Sequence, residues 1–123
     1  MKELASILLH SQTQAHVFHF RVKGPGSYAA HKALQKYYES IDGLVDSLVE
    51  AYQGKHDLLE FVNVDKLDNN ADTKNITEYF DKIIAAVEKL RKEKDVEDSF
   101  IQNEIDNVIM LLYSTRYKLI NLQ

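Results

Sequence analysis

Five histidines and a run of acidic side chains are the residues of this chain best suited to chemistry. Between His31 and Glu50, one histidine and four carboxylates recur at spacings that a helix would gather on one side. With His31 as zero and 3.6 residues per turn, Asp42 falls at about 20°, Gln35 at about 40°, Asp46 at about 60°, Glu39 at about 80° and Glu50 at about 100°. Lys36 lies just outside this stripe and does not neutralise the acids along it. Imidazole with carboxylate suits iron, manganese or zinc, and not copper(I). The competing reading is a solvated face, which is where most charged helix stripes lie. His10, His16 and His19 precede the stripe, and His16 and His19 are close enough in sequence to be neighbours on a helix face.

Other catalytic and binding patterns are missing. The chain has no Cys, which removes disulfides, zinc–thiolate sites and cysteine nucleophiles. It contains no Glu-x-x-His, no His-Glu-x-x-His, no Walker loop and no Gly-x-Ser-x-Gly. Asp68, Asn70 and Asp72 alternate as in a calcium loop, but Thr73 stands where the loop needs Gly and Tyr79 where it needs a bidentate Glu. That stretch reads as an ordinary turn. Asn75-Ile76-Thr77 matches a glycosylation sequon without other signs of secretion.

Helical periodicity runs through nearly the whole chain. A first helix is predicted over Lys2 to Phe20, with Leu4, Ile7, Leu8, Ala15 and Phe18 as its apolar stripe. It ends before Gly24-Pro25-Gly26, which cannot sustain a helix. Ser27 suits the N-cap of a second helix that runs to about Gln53 and stops at Gly54. There Leu34, Ile41 and Leu48 recur at heptad spacing. So do Tyr37, Leu44 and Ala51, and again Tyr38, Val45 and Tyr52, giving one broad core face. Residues 57–64 fit either a short helix or an extended connection, and the polar stretch after them reads as loop. Asn75 with Glu78 resembles a capping box opening a third helix, whose Ile76, Phe80, Ile83, Ile84, Val87 and Leu90 face the core and whose last turn is basic (Lys89, Arg91, Lys92, Lys94). A fourth starts near Asp95 or Asp98, with Ile101, Ile105, Val108, Leu112, Leu119 and Leu122 inward. The sum is an all-α four-helix bundle with a long connection between its second and third helices, one domain over 1–123.

Charge is uneven. The chain carries −4 overall, yet residues 1–36 hold five basic side chains and one acidic one. A mildly acidic chain without a basic tail is a poor nucleic-acid ligand, so DNA binding is not expected. No apolar run approaches the ~18 residues of a membrane span, and the N-terminal stretch, broken by Glu3 and His10, does not read as a signal peptide. These features lead to the expectation of a cytoplasmic protein with no membrane partner.

The segment HVFHFRVKGPGSYAAHKALQKYYESIDGLVDSLVEAYQG resembles the first half of the Dps family, the miniferritins of the ferritin-like superfamily. In that family a histidine–aromatic pair ends the first long helix, a Val-Lys-Gly-Pro-like turn follows, a second histidine comes twelve positions after the first, and an Asp-x-x-x-Glu pair sits further along the second helix. Here these are His19-Phe20, Val22-Lys23-Gly24-Pro25, His31, and Asp46 with Glu50. The likeness is close over about residues 4–54 and covers the second half only as two helices of similar length. It implies an intersubunit ferroxidase site that oxidises ferrous iron with hydrogen peroxide or oxygen, under oxidative stress, and a homo-oligomer, a two-fold dimer or a hollow dodecamer that stores the mineral. His19 and His31 would supply one side of the metal site and Asp46 and Glu50 the other, with Gln35 and Asp42 behind the imidazoles. Zinc or manganese would fit the same ligands. The chain departs from the family at Gln35, commonly an acid, and at Phe20, frequently tryptophan, and it is shorter between the second and third helices and at its C-terminus. Those departures motivate the alternative of a catalytically inactive ferritin-like structural or protein-interaction module.

Helix geometry bears on the same four residues. If the second helix is continuous, His31 and Asp46 are separated by ~22 Å of rise, too far for one metal to bridge. Asp46 and Glu50 are one turn apart, and His19 and His31 flank one short turn. Both halves meet only if two chains pack this helix antiparallel about a two-fold axis. A break at Gly43 would escape that conclusion.

Overall fold

Four helices form, in chain order α1 (Lys2–Arg21), α2 (Ser27–Lys55), α3 (Thr73–Leu90) and α4 (Ser99–Asn121), with one 3-10 turn, Lys94–Val96, before α4. The computed structural model describes residues 1–122, and among these there is no strand. The four helices bury one contiguous core, and its centre is where the periodicity places it. Leu34, Tyr37, Ile41 and Leu48 of α2 are sealed against Leu8 and Phe18 of α1, Phe80 and Val87 of α3, and Ile105 and Leu112 of α4. Tyr37 meets Phe80 edge-on, with ring centroids 5.0 Å apart and planes at 88°, an arrangement the ring quadrupoles favour. Its hydroxyl shares a 2.7 Å hydrogen bond with Ser11 Oγ. Burial pushes the phenol above its ordinary titration range, and the Ser11 bond only partly offsets this.

Polar contacts fix which helix ends meet. The Met1 ammonium pairs with Asp95, and Lys55 and His56 both pair with Asp98. The start of α1, the end of α2 and the start of α4 therefore share one end of the bundle. At the other end Arg21 donates from Nε to the Asn69 carbonyl at 2.7 Å. The 56–72 connection must travel the length of the bundle between them, and it does so as extended chain, without the short helix that 57–64 allowed.

Several boundaries differ from the predicted ones, each for a local reason. Gly26, not Ser27, is the N-cap of α2. It sits at φ 79, in the left-handed region glycine tolerates, and Ser27 is already helical. Gly54 does not stop α2, which continues to Lys55; an interior glycine costs only ~1 kcal/mol against alanine, and the final turn is tied to Asp98. Asp72, not Asn75, caps α3 by accepting from the Lys74 amide. Asn75 lies inside the helix and gives its side-chain amide to Asp68 Oδ2 and the Asn70 carbonyl, both at 2.7 Å. α3 ends at Leu90, so only Lys89 of the four basic residues falls in its last turn. α4 starts after Asp98, Asp95 belongs to the 3-10 turn, and Leu122 is exposed rather than in the core.

Asp98 carries a pH dependence. Hydrogen bonds from Lys55 first and His56 second hold its carboxyl below the usual range. A carboxyl depressed in the folded state stabilises above its unfolded pKa, and that contribution disappears as pH falls through the folded one. The Asp98→Asn chain is therefore expected to lose melting temperature relative to wild type at pH 7, with the gap closing in the acid range, as thermal melts across pH would show. A constant gap would assign Asp98 a purely steric role.

Candidate metal centre

The turn between α1 and α2 exists because two glycines allow it. Gly24 and Gly26 both have positive φ, 89 and 79, and the Ser27 amide closes the turn on the Gly24 carbonyl at 3.1 Å. This reversal sets the last turn of α1 beside the first turns of α2 and brings His19 and His31 face to face. Their rings stack with centroids 3.6 Å apart and planes 21° from parallel. Each Nδ1 lies 3.0 Å from the other residue's backbone carbonyl. A carbonyl can only accept, so Nδ1 of both rings carries the proton and donates. In the neutral rings Nε2 is then a lone-pair donor, the state in which imidazole binds a metal. Neither Nε2 makes a hydrogen bond among the described residues, and neither is sealed from the surface.

Aromatic side chains brace the pair. Tyr38 meets His19 edge-on at 5.3 Å, His16 stacks on Tyr38 at 4.1 Å, and Phe20 stacks on the far side of His16 at 4.5 Å. His16 is thus held in a column of rings. Phe20, the outermost ring, is mostly exposed.

The acidic half lies further along α2. Asp46 and Glu50 are exposed, and with Leu9, Val45, Val49 and Phe61 they line a shallow groove of about 220 Å³. α2 runs unbroken through Gly43, so the ~22 Å of rise between His31 and Asp46 stands. Among the described residues no group of three or more His, Asp and Glu is close enough to hold a metal ion. One chain brings together two of the four candidate ligands at each end of α2.

Gln35 and Asp42 do not orient the imidazoles in this chain. Gln35 Nε2 donates to Glu39 Oε1 at 3.0 Å, Asp42 points to solvent, and the backbone carbonyls of His31 and His19 take the orienting role instead. Sequence reasoning misses those carbonyls because they belong to no residue type; the only signal is the short separation of two histidines across a glycine turn. It also misses Leu9 and Phe61 beside the acids.

The Asp68–Asp72 stretch, expected as an ordinary turn, is part of the extended connection and is held by its own side chains. Successive side chains accept from amides two residues on: Asp68 from Asn70 at 2.9 Å, Asn70 from Asp72 at 3.1 Å. The Asn75 amide bonded to Asp68, and then the Asn70 N–H, hold the Asp68 carboxyl below its usual range.

Over residues 19–119 the chain matches DUF5856, a family of unknown function. The chain belongs to that family. All four candidate ligands fall inside the span shared with DUF5856, while the first 18 residues of the chain lie outside it. No curated protein matches the chain, and no solved structure matches it. Among the described residues no helix is long and apolar enough to cross a membrane.

Proposed function

We propose that this chain is a Dps-like, ferritin-like iron-binding protein. It takes up ferrous iron at a site completed between two copies and oxidises it there. The observation that carries the reading is the reciprocal clamp of His19 and His31. Metal-binding imidazoles characteristically donate their other ring N–H to a carbonyl or carboxylate, which fixes tautomer and orientation. Both rings do so here, and both leave Nε2 free. A structural histidine pair has no need to leave both Nε2 atoms without a partner.

Carboxylates from Asp46 and Glu50 of a second copy complete the donor set. Histidine nitrogen suits ferrous iron, and carboxylate oxygen suits the harder ferric product. Exposed apolar side chains beside the acids, Leu9 and Phe61, and Phe20 beside the histidines favour a second copy as what covers this face. The oxidant is hydrogen peroxide or dioxygen, and zinc or manganese are competing occupants. Whether two copies or twelve assemble decides whether mineral is stored.

A second reading, a ferritin-like helical module that oxidises nothing and holds a partner protein, draws on α4. Met110, Tyr113, Tyr117 and Ile120 form an exposed stripe on its outer face. Light scattering with peroxide consumption on adding ferrous iron separates the two. A dimer or larger species that consumes peroxide in proportion to ferrous iron supports the first. A monomer that consumes none supports the second.

A further inference from the structure

From the end of α1 through most of α2, charge is segregated by sign. Histidines apart, every charged side chain from Arg21 to Lys36 is basic: Arg21, Lys23, Lys32 and Lys36. Every one from Glu39 to Glu50 is acidic: Glu39, Asp42, Asp46 and Glu50. All eight are exposed. Among the described residues none of them enters an ion pair. The six on α2 fall between about 20° and 140° from His31, on one side of the helix. The sign changes between Lys36 and Glu39, and the midpoint of His31 and Asp46 lies between Tyr38 and Glu39. A two-fold axis at that midpoint lays the basic half of one copy on the acidic half of the other, twice. A parallel pair would set like charges against like. Complementarity of this kind fixes orientation and register.

Each half also carries an apolar feature. At the basic end Phe20 is 73% exposed, yet its ring is held in place. It stacks on His16 at 4.5 Å and meets His19 edge-on at 5.7 Å. At the acidic end Leu9, Val45, Val49 and Phe61 line the groove beside Asp46 and Glu50. Within one chain the two features are far apart, Phe20 and Leu9 being separated by ~16 Å of rise along α1. In the antiparallel pair the histidine end of one copy reaches the acidic end of the other. Phe20, packed against His19, then arrives at the groove next to Asp46 and Glu50.

We propose that Phe20 of each copy seats in the groove lined by Leu9, Val45, Val49 and Phe61 of the other copy, and that this contact, made twice, sets the register in which imidazoles meet carboxylates. The inference rests on the shared-site reading above and adds the contact that holds the two copies together. An aromatic ring seated in an apolar pocket and surrounded by polar groups is the kind of contact that dominates an interface. The segregated charges supply orientation, and the ring supplies most of the affinity. Phe20 is a positioning residue: it holds the partner's carboxylates opposite His19 and His31.

The chain has no Trp, so Phe20→Trp provides a single fluorescent reporter at the contact. Its emission should shift to shorter wavelength as the chain is concentrated through its dissociation constant. Adding Leu9→Asp to that variant should abolish the shift. By sedimentation equilibrium, Phe20→Ala should raise the dissociation constant at least about tenfold, and Met110→Ala on α4 should leave it unchanged. Association of the wild-type chain should weaken as salt is raised. Phe20 and Leu9 lie outside the hydrophobic core, so these variants should keep the fold. A wild-type pair that is indifferent to Phe20→Ala, with Phe20→Trp emission fixed at the wavelength of an exposed indole, overturns this contact and leaves the shared metal site standing. A wild-type chain that is monomeric at every concentration, with or without added zinc, overturns both.

Discussion

His31→Ala is expected to lose ferrous oxidation, by at least about 100-fold, while keeping the fold. Removing one imidazole removes one of two nitrogen ligands and the ring stacked on His19, while the His31 carbonyl that orients His19 stays in place. Loss of a group that only orients a ligand typically costs 10–100-fold in affinity or activity, so loss of a ligand itself should exceed about 100-fold. His31 is partly exposed and outside the hydrophobic core, so its truncation should change stability little. Asp46→Ala should give the same loss of oxidation although it lies ~22 Å along the helix. Ferrous-dependent peroxide consumption checks both, with circular dichroism melts confirming the fold. Unchanged oxidation in the double variant would remove the metal reading altogether.

The largest stability effect should come from Phe80→Ala. Phe80 is fully buried at the meeting of α2 and α3, edge-on to Tyr37 and to Tyr79, the latter at 5.7 Å. Truncating a buried Phe costs ~3–5 kcal/mol through lost burial and the cavity left behind. That is a large share of the ~5–15 kcal/mol that holds a typical domain together. The melting temperature should drop by on the order of 10–20 °C. Met110→Ala on the outer face of α4, where Met110 is 72% exposed, should stay within ~0.5 kcal/mol of wild type. A comparable loss at Met110 would mean that the α4 stripe is covered by a partner or a second copy.

The helices and their core faces could be read from the sequence because burial leaves a periodic trace. The heptad sets of α2 include Leu34, Ile41 and Leu48, all of them buried. Helix ends were less legible, because several residues compete for each cap. Asp72 and Asn75 both have capping chemistry, and the choice fell to Asp72 because Asn75 is occupied by Asp68, a contact between side chains that no local pattern announces. Leu122 has the right spacing for the core but stands one residue beyond the end of α4. At the candidate site, residue types and spacing point to His19, His31, Asp46 and Glu50. The clamp that gives the histidines their tautomer is made of backbone carbonyls. The buried, unpartnered nitrogen of His10 belongs to a ring whose other nitrogen meets Tyr79 of α3. Both are products of tertiary placement.

The central claim is that each metal site takes its histidines from one copy and its acids from another, and a mixing experiment tests it most directly. His31→Ala and Asp46→Ala chains, each inactive alone, are unfolded together in equal amounts and refolded. A site in the mixture is intact when its histidines come from the Asp46→Ala chain and its acids from the His31→Ala chain, which random pairing gives at about a quarter of sites. Ferrous oxidation at about a quarter of the wild-type rate is the expected result. A mixture as inactive as its two parents would contradict the shared site.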